Sequence, residues 1–213
     1  MSALPQPLPK GRHAAPREIV WESQRGRMLE AMAVAVAQKG YAATAVADVI
    51  ARARVSRKTF YEHFANKEAC FLAAYDEGVA ALLATIDEAV GAAGDPLQAV
   101  TEGVRAYLEA LAANPAFART FLVEILAAGP AALERRAAVH ARFAEQIEAS
   151  HRAARAELPG LPTVPPARFR AGVGATHELV VEHVSRHGAE TLPELLETLL
   201  DVQLALLGVR PAA

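Results

Sequence analysis

Two short helical segments joined by a three-residue break are the feature that most constrains how this chain folds. Residues 45–53, AVADVIARA, repeat apolar side chains at helical spacing. Residues 57–64, RKTFYEHF, place Phe60 and Phe64 four positions apart, on one face of a second helix. Such a pair, following a longer helix, forms a helix-turn-helix unit. The inward-facing positions that we predict for the first segment are Val46, Val49, Ile50 and Ala53.

A longer helix precedes this pair. The pattern is helical from about Ile19 to Lys39, and Gly40 is suited to the position just after the end of a helix. The apolar residues that share one face of this helix, at i, i+3, i+4 and i+7, are Leu29, Met32, Ala33 and Val36.

Polar side chains mark where the next three helices begin. Thr44 is predicted to cap the second helix, whose positive end also suits Asp48. Ser56 is predicted to cap the third helix. Asn66 is predicted to cap the fourth, with Glu68 in its first turn.

Proline and glycine divide the rest of the chain into further helices. Asp95-Pro96 and Asn114-Pro115 each place a polar cap before a proline that begins a helix. The tripeptide AGP at 128–130 precedes a seventh helix, and an eighth and a ninth follow the connector LPGLPTVPP. No segment indicates a sheet. The sequence therefore predicts an all-α protein of about nine helices, with three in an N-terminal head and the others in a body.

The charges of the head and the body are opposite in sign. Residues 1–67 hold 11 Lys or Arg against 5 Asp or Glu, and the remaining residues hold 11 against 19. This difference is hidden in a net charge of -2 for the whole chain. A basic head on an acidic body indicates a polyanionic partner for the head alone.

The third helix combines apolar anchors with an outward face of cations and hydrogen-bonding groups. The second helix of a helix-turn-helix enters the major groove of DNA, where such groups contact bases and phosphates. Helix starts near Thr44 and Ser56 can also bind phosphates. The DNA-contacting residues that we predict are Thr44, Arg54, Ser56, Arg57, Lys58, Thr59, Tyr61, His63 and Lys67.

Residues 25–71 resemble the N-terminal domain of TetR-family transcriptional regulators. The resemblance is carried by GY at 40–41, IA at 50–51, VS at 55–56, TFYEHF at 59–64 and NKEACF at 66–71. One position departs from the family pattern, because Arg54 stands where these proteins usually have glycine before VS. That position often has a positive φ angle, which costs a non-glycine residue a modest amount of free energy.

The resemblance implies a dimer formed through the last two helices and a body that holds a small-molecule effector. With it, the expected division is a disordered basic arm at 1–17, a DNA-binding domain at 18–67, and a ligand-binding and dimerisation domain at 68–213. Tyrosine hydroxyls and aromatic rings in the middle helices suit such a pocket, although they would equally suit a plain core. The candidate pocket residues are Tyr75, Tyr107, Phe117 and Phe121.

Several other classes of site are disfavoured by the sequence. Neither a Ser-His-Asp arrangement nor a paired-carboxylate arrangement occurs at a useful spacing, so we expect no enzyme, and no cofactor or metal. The segment THELVVEHVSRHG holds His177, His183 and His187. His183 and His187 could share a metal, but the preferred interpretation is that these histidines are solvated and lie at a dimer interface. Cys70 is the only cysteine, so no internal disulfide can form and a packing role is favoured over a redox role.

Neither a secretory signal nor a membrane span is expected, since we find no apolar run of about 18 residues. We therefore expect a cytoplasmic protein. The function that the sequence favours is a DNA-binding regulator, a repressor released from a near-palindromic operator by a small molecule. Two alternatives stay open. One is a ligand-independent regulator or an activator, and the other is a helical interaction protein that does not bind DNA.

Overall fold

The computed structural model describes residues 17–209, and all of its regular structure there is helical. Nine α-helices and no strand occur in this range, so the prediction of an all-α fold is confirmed. The predicted arm at 1–17 lies outside the described residues except for Arg17, which is the first residue of helix α1.

The head consists of three helices. Their bounds are α1 Arg17–Lys39, α2 Val46–Ala53 and α3 Arg57–His63. Phe60 and Phe64 are buried as predicted, and so are Val49 and Ala53 of α2, while Val46 and Ile50 are half-buried against the same cluster. The apolar faces read from the sequence are therefore the faces that join the three helices.

The body consists of six further helices and short turns of tighter or wider winding. The α-helices are α4 Lys67–Gly91, α5 Pro96–Ala113, α6 Pro115–Ala118, α7 Pro130–Glu157, α8 Pro166–His187 and α9 Leu196–Leu206. A π-helical turn at Arg119–Val123 and a 3-10 turn at Glu124–Ala127 continue α6, and a 3-10 turn at Leu192–Leu195 precedes α9. The sequence placed these helices well but did not predict that the sixth changes its winding.

Three of the five predicted helix caps are confirmed by side-chain hydrogen bonds. The side chains of Ser56 and Asn66 accept hydrogen bonds from backbone N–H groups three residues later, and Asp95 accepts from the backbone N–H groups two and three residues later. Asn114 precedes α6 as predicted, but its side-chain amide donates back to the carbonyl of Ala110 and does not cap the new helix.

Thr44 was predicted wrongly as a cap, because Ala45 occupies that position in α2. Asp48 instead accepts a hydrogen bond from the backbone N–H of Ala45. A hydrogen bond from Lys39 lowers the pKa of this aspartate. The start of α2 is therefore held by the carboxylate in its first turn.

The turn of the helix-turn-helix passes through Arg54 in the left-handed region of backbone space. Its φ and ψ angles are 54° and 46°, and it is the only non-glycine residue with positive φ among residues 17–209. The backbone N–H of Arg54 donates to the carbonyl of Ile50, so the turn closes α2 in the way a glycine would. Arg54 therefore carries the expected free-energy cost of a positive φ angle, and the turn keeps the conformation that glycine would give it.

The body and head share one apolar cluster. Val49 and Phe60 of the head and Phe121 and Ile125 of the body belong to it, and α4 runs through it. A second cluster joins α5, α8 and α9, and a third lies at the far ends of α7 and α8. The head is thus seated on the body through buried apolar contacts.

Helix α4 is the only single helix of residues 17–209 whose length and composition would allow it to cross a membrane. The next two helices would pass the same test only as a pair bent by 100°. The apolar side chains of α4, such as Phe71, Tyr75 and Leu83, are core residues. Its composition is therefore accounted for by packing within the protein.

Polar contacts also join the two parts. The hydroxyl of Thr120 donates to the carbonyl of Ala33 at 2.7 Å. The carboxylate of Glu124 accepts from the backbone N–H of Tyr41 at 2.9 Å, beside Gly40. Thr120 belongs to the π turn and Glu124 to the 3-10 turn. These two turns therefore supply hydrogen bonds from the body to α1 and to the loop that follows it.

Replacing Arg54 by glycine is expected to stabilise the protein. A left-handed conformation costs an L-residue about 1 kcal/mol, and glycine adopts it without that penalty. Part of the gain is offset by the greater freedom of glycine in the unfolded chain. Urea denaturation should therefore show a small rise in the unfolding free energy for Arg54→Gly.

Arg54→Ala is the matched control, since it removes the charge and keeps the strained conformation. It should not stabilise. Equal behaviour of the two variants would show that the charge of Arg54, and not its backbone conformation, sets the effect.

Candidate nucleic-acid interface

The outward face of α3 presents its cations at the start of the helix. Ser56 caps α3 and leaves Arg57 and Lys58 exposed in its first turn. The Lys58 side chain is 87% exposed, and its contact with Glu62 is long at 3.8 Å. Arg57 lies over the ring of Tyr61, at 5.6 Å from guanidinium carbon to ring centroid. These groups are free to meet a polyanion, and the free N–H groups of the helix start add to the positive potential.

Arg54 and Tyr61 complete this face. Arg54 is exposed in the turn directly before α3, and Tyr61 is 45% exposed one helical turn after Arg57. Phe60 packs edge-on against Tyr61 from the buried side, with ring centroids 5.4 Å apart. The buried side chain of Phe60 therefore supports the exposed ring of Tyr61.

Thr59 is engaged in the helix cap. Its hydroxyl lies 2.9 Å from that of Ser56, and its backbone N–H donates to the Ser56 hydroxyl oxygen. A phosphate or base contact from Thr59 would have to share this hydroxyl.

Three of the predicted contact residues have structural partners inside the head. Thr44 is 3% exposed, and its hydroxyl donates to the carbonyl of Gly40, so its side chain does not face outward. Lys67 donates to the carbonyl of Tyr41 at 2.8 Å and lies 4.1 Å from the centre of the Tyr41 ring. His63 is half-buried, and the ring of Trp21 stacks on it at 3.5 Å between centroids.

The contact between Trp21 and His63 was missed by sequence reasoning. Gln24 lies 3.4 Å from Nε2 of His63, and burial lowers the pKa of this histidine. Trp21 is 45% exposed and Ile19 is 49% exposed, so the start of α1 places apolar surface beside the end of α3. No periodic pattern in the sequence links residues so far apart, and only the crossing of the two helices brings them together.

The four predicted pocket aromatics lie in the body but mostly against one another. Phe121 packs on Phe117 and on Tyr75, with ring centroids 4.7 and 5.5 Å apart. Phe117 covers Gly78, where a side chain would collide with the ring. Tyr107 packs edge-on against Phe143 at 6.5 Å. Tyr75 is buried, and Tyr107 is half-buried at the junction of the middle helices.

An open groove between α4 and α7 has none of these aromatics in its wall. Its lining residues are Asp76, Val79, Ala80, Arg135, Ala138, Val139 and Arg142. The predicted pocket residues therefore belong to the interior of the bundle and not to this surface depression.

A group of basic residues at the contact of α7 and α8 was also missed. The guanidinium of Arg136 donates from Nε to Nε2 of His177 at 3.3 Å. The rings of His177 and His140 meet edge-on at 4.6 Å. His177 is 7% exposed, which overturns its interpretation as a solvated histidine. Three residues on two helices could be identified as neighbours only after the helices were packed.

The environment of these histidines keeps them neutral. Burial, followed by the charge of Arg136, lowers the pKa of His140 to about 4 and that of His177 to about 3. Neutral His177 can therefore accept the hydrogen bond from Arg136. No group of three or more His, Cys, Asp or Glu suited to a metal ion occurs in residues 17–209.

Cys70 has a packing environment. It is fully buried, and burial raises the pKa of its thiol to about 12. A thiol in this state is a poor nucleophile.

Comparison with known proteins now identifies the head. Residues 29–74 match the family described as bacterial regulatory proteins, tetR family. The N-terminal head of the chain therefore matches the family of TetR regulators. The resemblance drawn from TFYEHF and its flanking residues is thereby confirmed. A comparison with curated proteins finds no match.

Solved structures of TetR-type regulators share the whole fold. The fatty acid degradation regulator FadR from Bacillus halodurans has a TM-score of 0.74 at 18% identity, covering 85% of this chain and 94% of that one. FadR from Bacillus subtilis, solved in complex with stearoyl-CoA, has a TM-score of 0.74 at 15% identity, covering 87% and 98%. PfmR from Thermus thermophilus has a TM-score of 0.67 at 22% identity, covering 89% and 98%. At these identities the likeness shows the fold, which is that of transcriptional regulators.

The stability of the protein should fall as the pH drops below about 6.5. The unfolded chain protonates His140 and His177 near that pH, whereas the folded chain keeps them neutral to about 4 and about 3. The unfolded state therefore binds more protons, and each histidine costs about 1.4 kcal/mol of unfolding free energy per pH unit across this window. Urea unfolding between pH 7.5 and pH 4.5 measures the slope.

His177→Gln should reduce that slope while its amide oxygen still accepts from Arg136. His187→Gln, at the exposed end of α8, is the matched control and should leave the slope unchanged. The explanation is wrong if both variants have the slope of the parent protein.

Proposed function

We propose that this protein is a ligand-responsive repressor that binds a near-palindromic operator as a homodimer in the cytoplasm. The observation that carries the proposal is the exposed cationic start of α3, held by Phe60 and Phe64 inside a TetR-family head. Its division into a DNA-binding domain at 18–67 and a ligand-binding and dimerisation domain at 68–213 is part of the proposal.

In the proposed complex, α3 lies in the major groove. Arg57 and Lys58 contact base edges or phosphates, Tyr61 contacts the backbone, and Arg54 adds a phosphate contact from the turn. Ser56 offers the helix start to a phosphate. Thr59 and His63 reach DNA only by giving up their present partners, and Thr44 and Lys67 act by shaping the loop that carries α2.

Dimerisation through α8 and α9 sets the spacing of the two heads. Two-fold symmetry places the two α3 helices in successive major grooves, with centres roughly 34–36 Å apart. A near-palindromic operator follows from this symmetry.

Release by an effector requires that the body favours a conformation with wrongly spaced heads. A hundredfold loss of DNA affinity needs about 2.7 kcal/mol of differential binding. Helix α4 begins in the apolar cluster that the head and body share, and it continues through the body. We therefore propose that α4 transmits the change in the body to the heads. The bond from Tyr41 N–H to Glu124 gives the body a second hold on the head. The structure of the fold neighbour FadR with stearoyl-CoA supports a body that accepts a ligand.

Arg54 does not favour the alternative of a helical interaction protein without DNA binding. Its left-handed conformation keeps the turn in the form that glycine would give, so α2 and α3 retain their helix-turn-helix arrangement. The substitution adds an exposed cation at the edge of the proposed interface.

Fluorescence anisotropy on DNA from upstream of the protein's own gene tests the proposal. Binding should be specific relative to an unrelated duplex and should weaken with salt, with a slope of about -0.9 per phosphate neutralised. Arg57→Glu/Lys58→Glu should abolish it, because two attractive charges become repulsive at the groove.

Arg142→Glu/Arg152→Glu is the matched control. It makes the same change in charge at two exposed positions of α7 and should bind DNA like the parent protein. Equal loss in the two double variants would point to overall charge alone. Absence of binding to genomic operator fragments, even at low salt, would contradict the proposal.

A further inference from the structure

Adjacent arginines on α7 have opposite surroundings. Arg135 is exposed and pairs with Asp76 of α4, with Nη1 and Oδ2 2.5 Å apart. Arg136 is half-buried, and its partner is the neutral imidazole of His177. Of the acidic residues among 17–209, none lies within ion-pair distance of Arg136. The body therefore contains a half-buried cation that none of the acidic residues in the described part of the chain neutralises.

A half-buried arginine without a counter-ion costs free energy unless an anion binds beside it. A buried charge without a counter-ion loses hydration that a single hydrogen bond does not replace. A guanidinium carries five N–H donors in a planar fork that matches a carboxylate. One of those donors has a protein partner in the described structure. The remaining donors are available to an anion.

Two phenols from other helices belong to the same region, because Arg136 acts on Tyr75 and Tyr75 acts in turn on Tyr107. Tyr75 comes from α4 and Tyr107 from α5, and the charge of Arg136 acts on the Tyr75 phenol. Neither phenol hydroxyl hydrogen-bonds to a described residue, and neither is among the buried unpaired atoms. Both hydroxyls therefore keep some accessible surface. The same holds for the ring nitrogens of His140, one helical turn from Arg136 on α7.

The surroundings of the cluster are apolar. Tyr107 packs on Phe143, and the two residues lie at the cluster formed by α5 and α8. Half-buried Val104 and Ile86 pack against the same apolar cluster, and a side chain added at neighbouring Gly103 would press on Val90. Arg136 supplies the net positive charge of this region, because His140 and His177 are neutral at physiological pH and Arg135 is paired with Asp76. The group that fits is a single negative charge attached to an apolar body.

We propose that Arg136, with His140, His177 and the hydroxyls of Tyr75 and Tyr107, binds the carboxylate of an apolar monocarboxylic acid. This assignment rests on the proposed function, since it names the chemical class of the effector. In this assignment the guanidinium makes a bidentate contact with the carboxylate. The phenol O–H groups and the imidazole N–H groups are further donors, and the aromatic rings pack against the apolar part of the acid.

Calorimetric titration of the full-length protein without DNA tests the assignment. The probes are butyrate, octanoate, dodecanoate, benzoate and phenylacetate, each compared with its uncharged amide. At least one acid should bind, and it should bind at least about tenfold more tightly than its amide, because only the acid neutralises Arg136. Arg136→Gln should lose that preference, and Arg135→Gln, the exposed neighbour, should keep it.

The ligand-free variants give a second readout. Arg136→Gln should raise the thermal midpoint, since it removes an uncompensated charge, whereas Arg135→Gln should not, since it breaks a surface pair. A lower midpoint for Arg136→Gln with unchanged acid binding would make Arg136 a structural residue and overturn the assignment. Failure of every acid to bind, or equal binding of acids and amides, would also overturn it.

The outcome is separable from that of the DNA experiment. Acid binding is measured without an operator, so it can succeed when no operator is found. Conversely, a protein that binds its operator and ignores all the acids would keep the proposed regulatory function and lose this ligand class.

Discussion

The apolar cluster that runs unbroken from head to body is the constraint on which the rest of this structure depends. Phe71 of α4 packs on Phe121 of the π turn at 5.6 Å, and the cluster extends from there to Phe60 in the third helix. Helices as short as α2 and α3 do not persist alone in water. Their positions are therefore set by the same packing that orders the first turns of α4.

This shared core connects the exposed surface of α3 with the region around Arg136 in the body. The π and 3-10 turns after α6 supply Phe121 and Ile125 to the core, and Thr120 and Glu124 to polar contacts with α1 and its loop. Tyr75 belongs to the same core and lies within the electrostatic influence of Arg136. A change in the body that moves α4 or these turns would therefore displace the surface that carries Arg57 and Lys58. Packed interiors respond in this way because they shift between discrete arrangements and do not deform continuously.

Charge is distributed in two different ways in the two parts. The cations of α3 stay exposed, where hydration makes an unpaired charge inexpensive. Arg136 is partly withdrawn from water, where the same charge is costly; burial lowers the pKa of both neighbouring histidines, and the charge of Arg136 lowers it further. An exposed cation suits a partner that approaches from solution, and a withdrawn cation suits one that is enclosed.

The sequence alone determined the helices, most of their ends, and the apolar faces of the head. These features are local, because caps such as Ser56 and Asp95 act within three residues and the pair Phe60 and Phe64 within one helical turn. It also carried the resemblance of the head to TetR-family regulators, because TFYEHF and its neighbours combine local structure with outward chemistry. Only the tertiary structure decided that Lys67 donates to the carbonyl of Tyr41, that Trp21 covers His63, and that Arg136 meets His177. Those contacts join residues of different helices or of the loop between them, so their partners are set by how the helices cross and not by spacing along the chain.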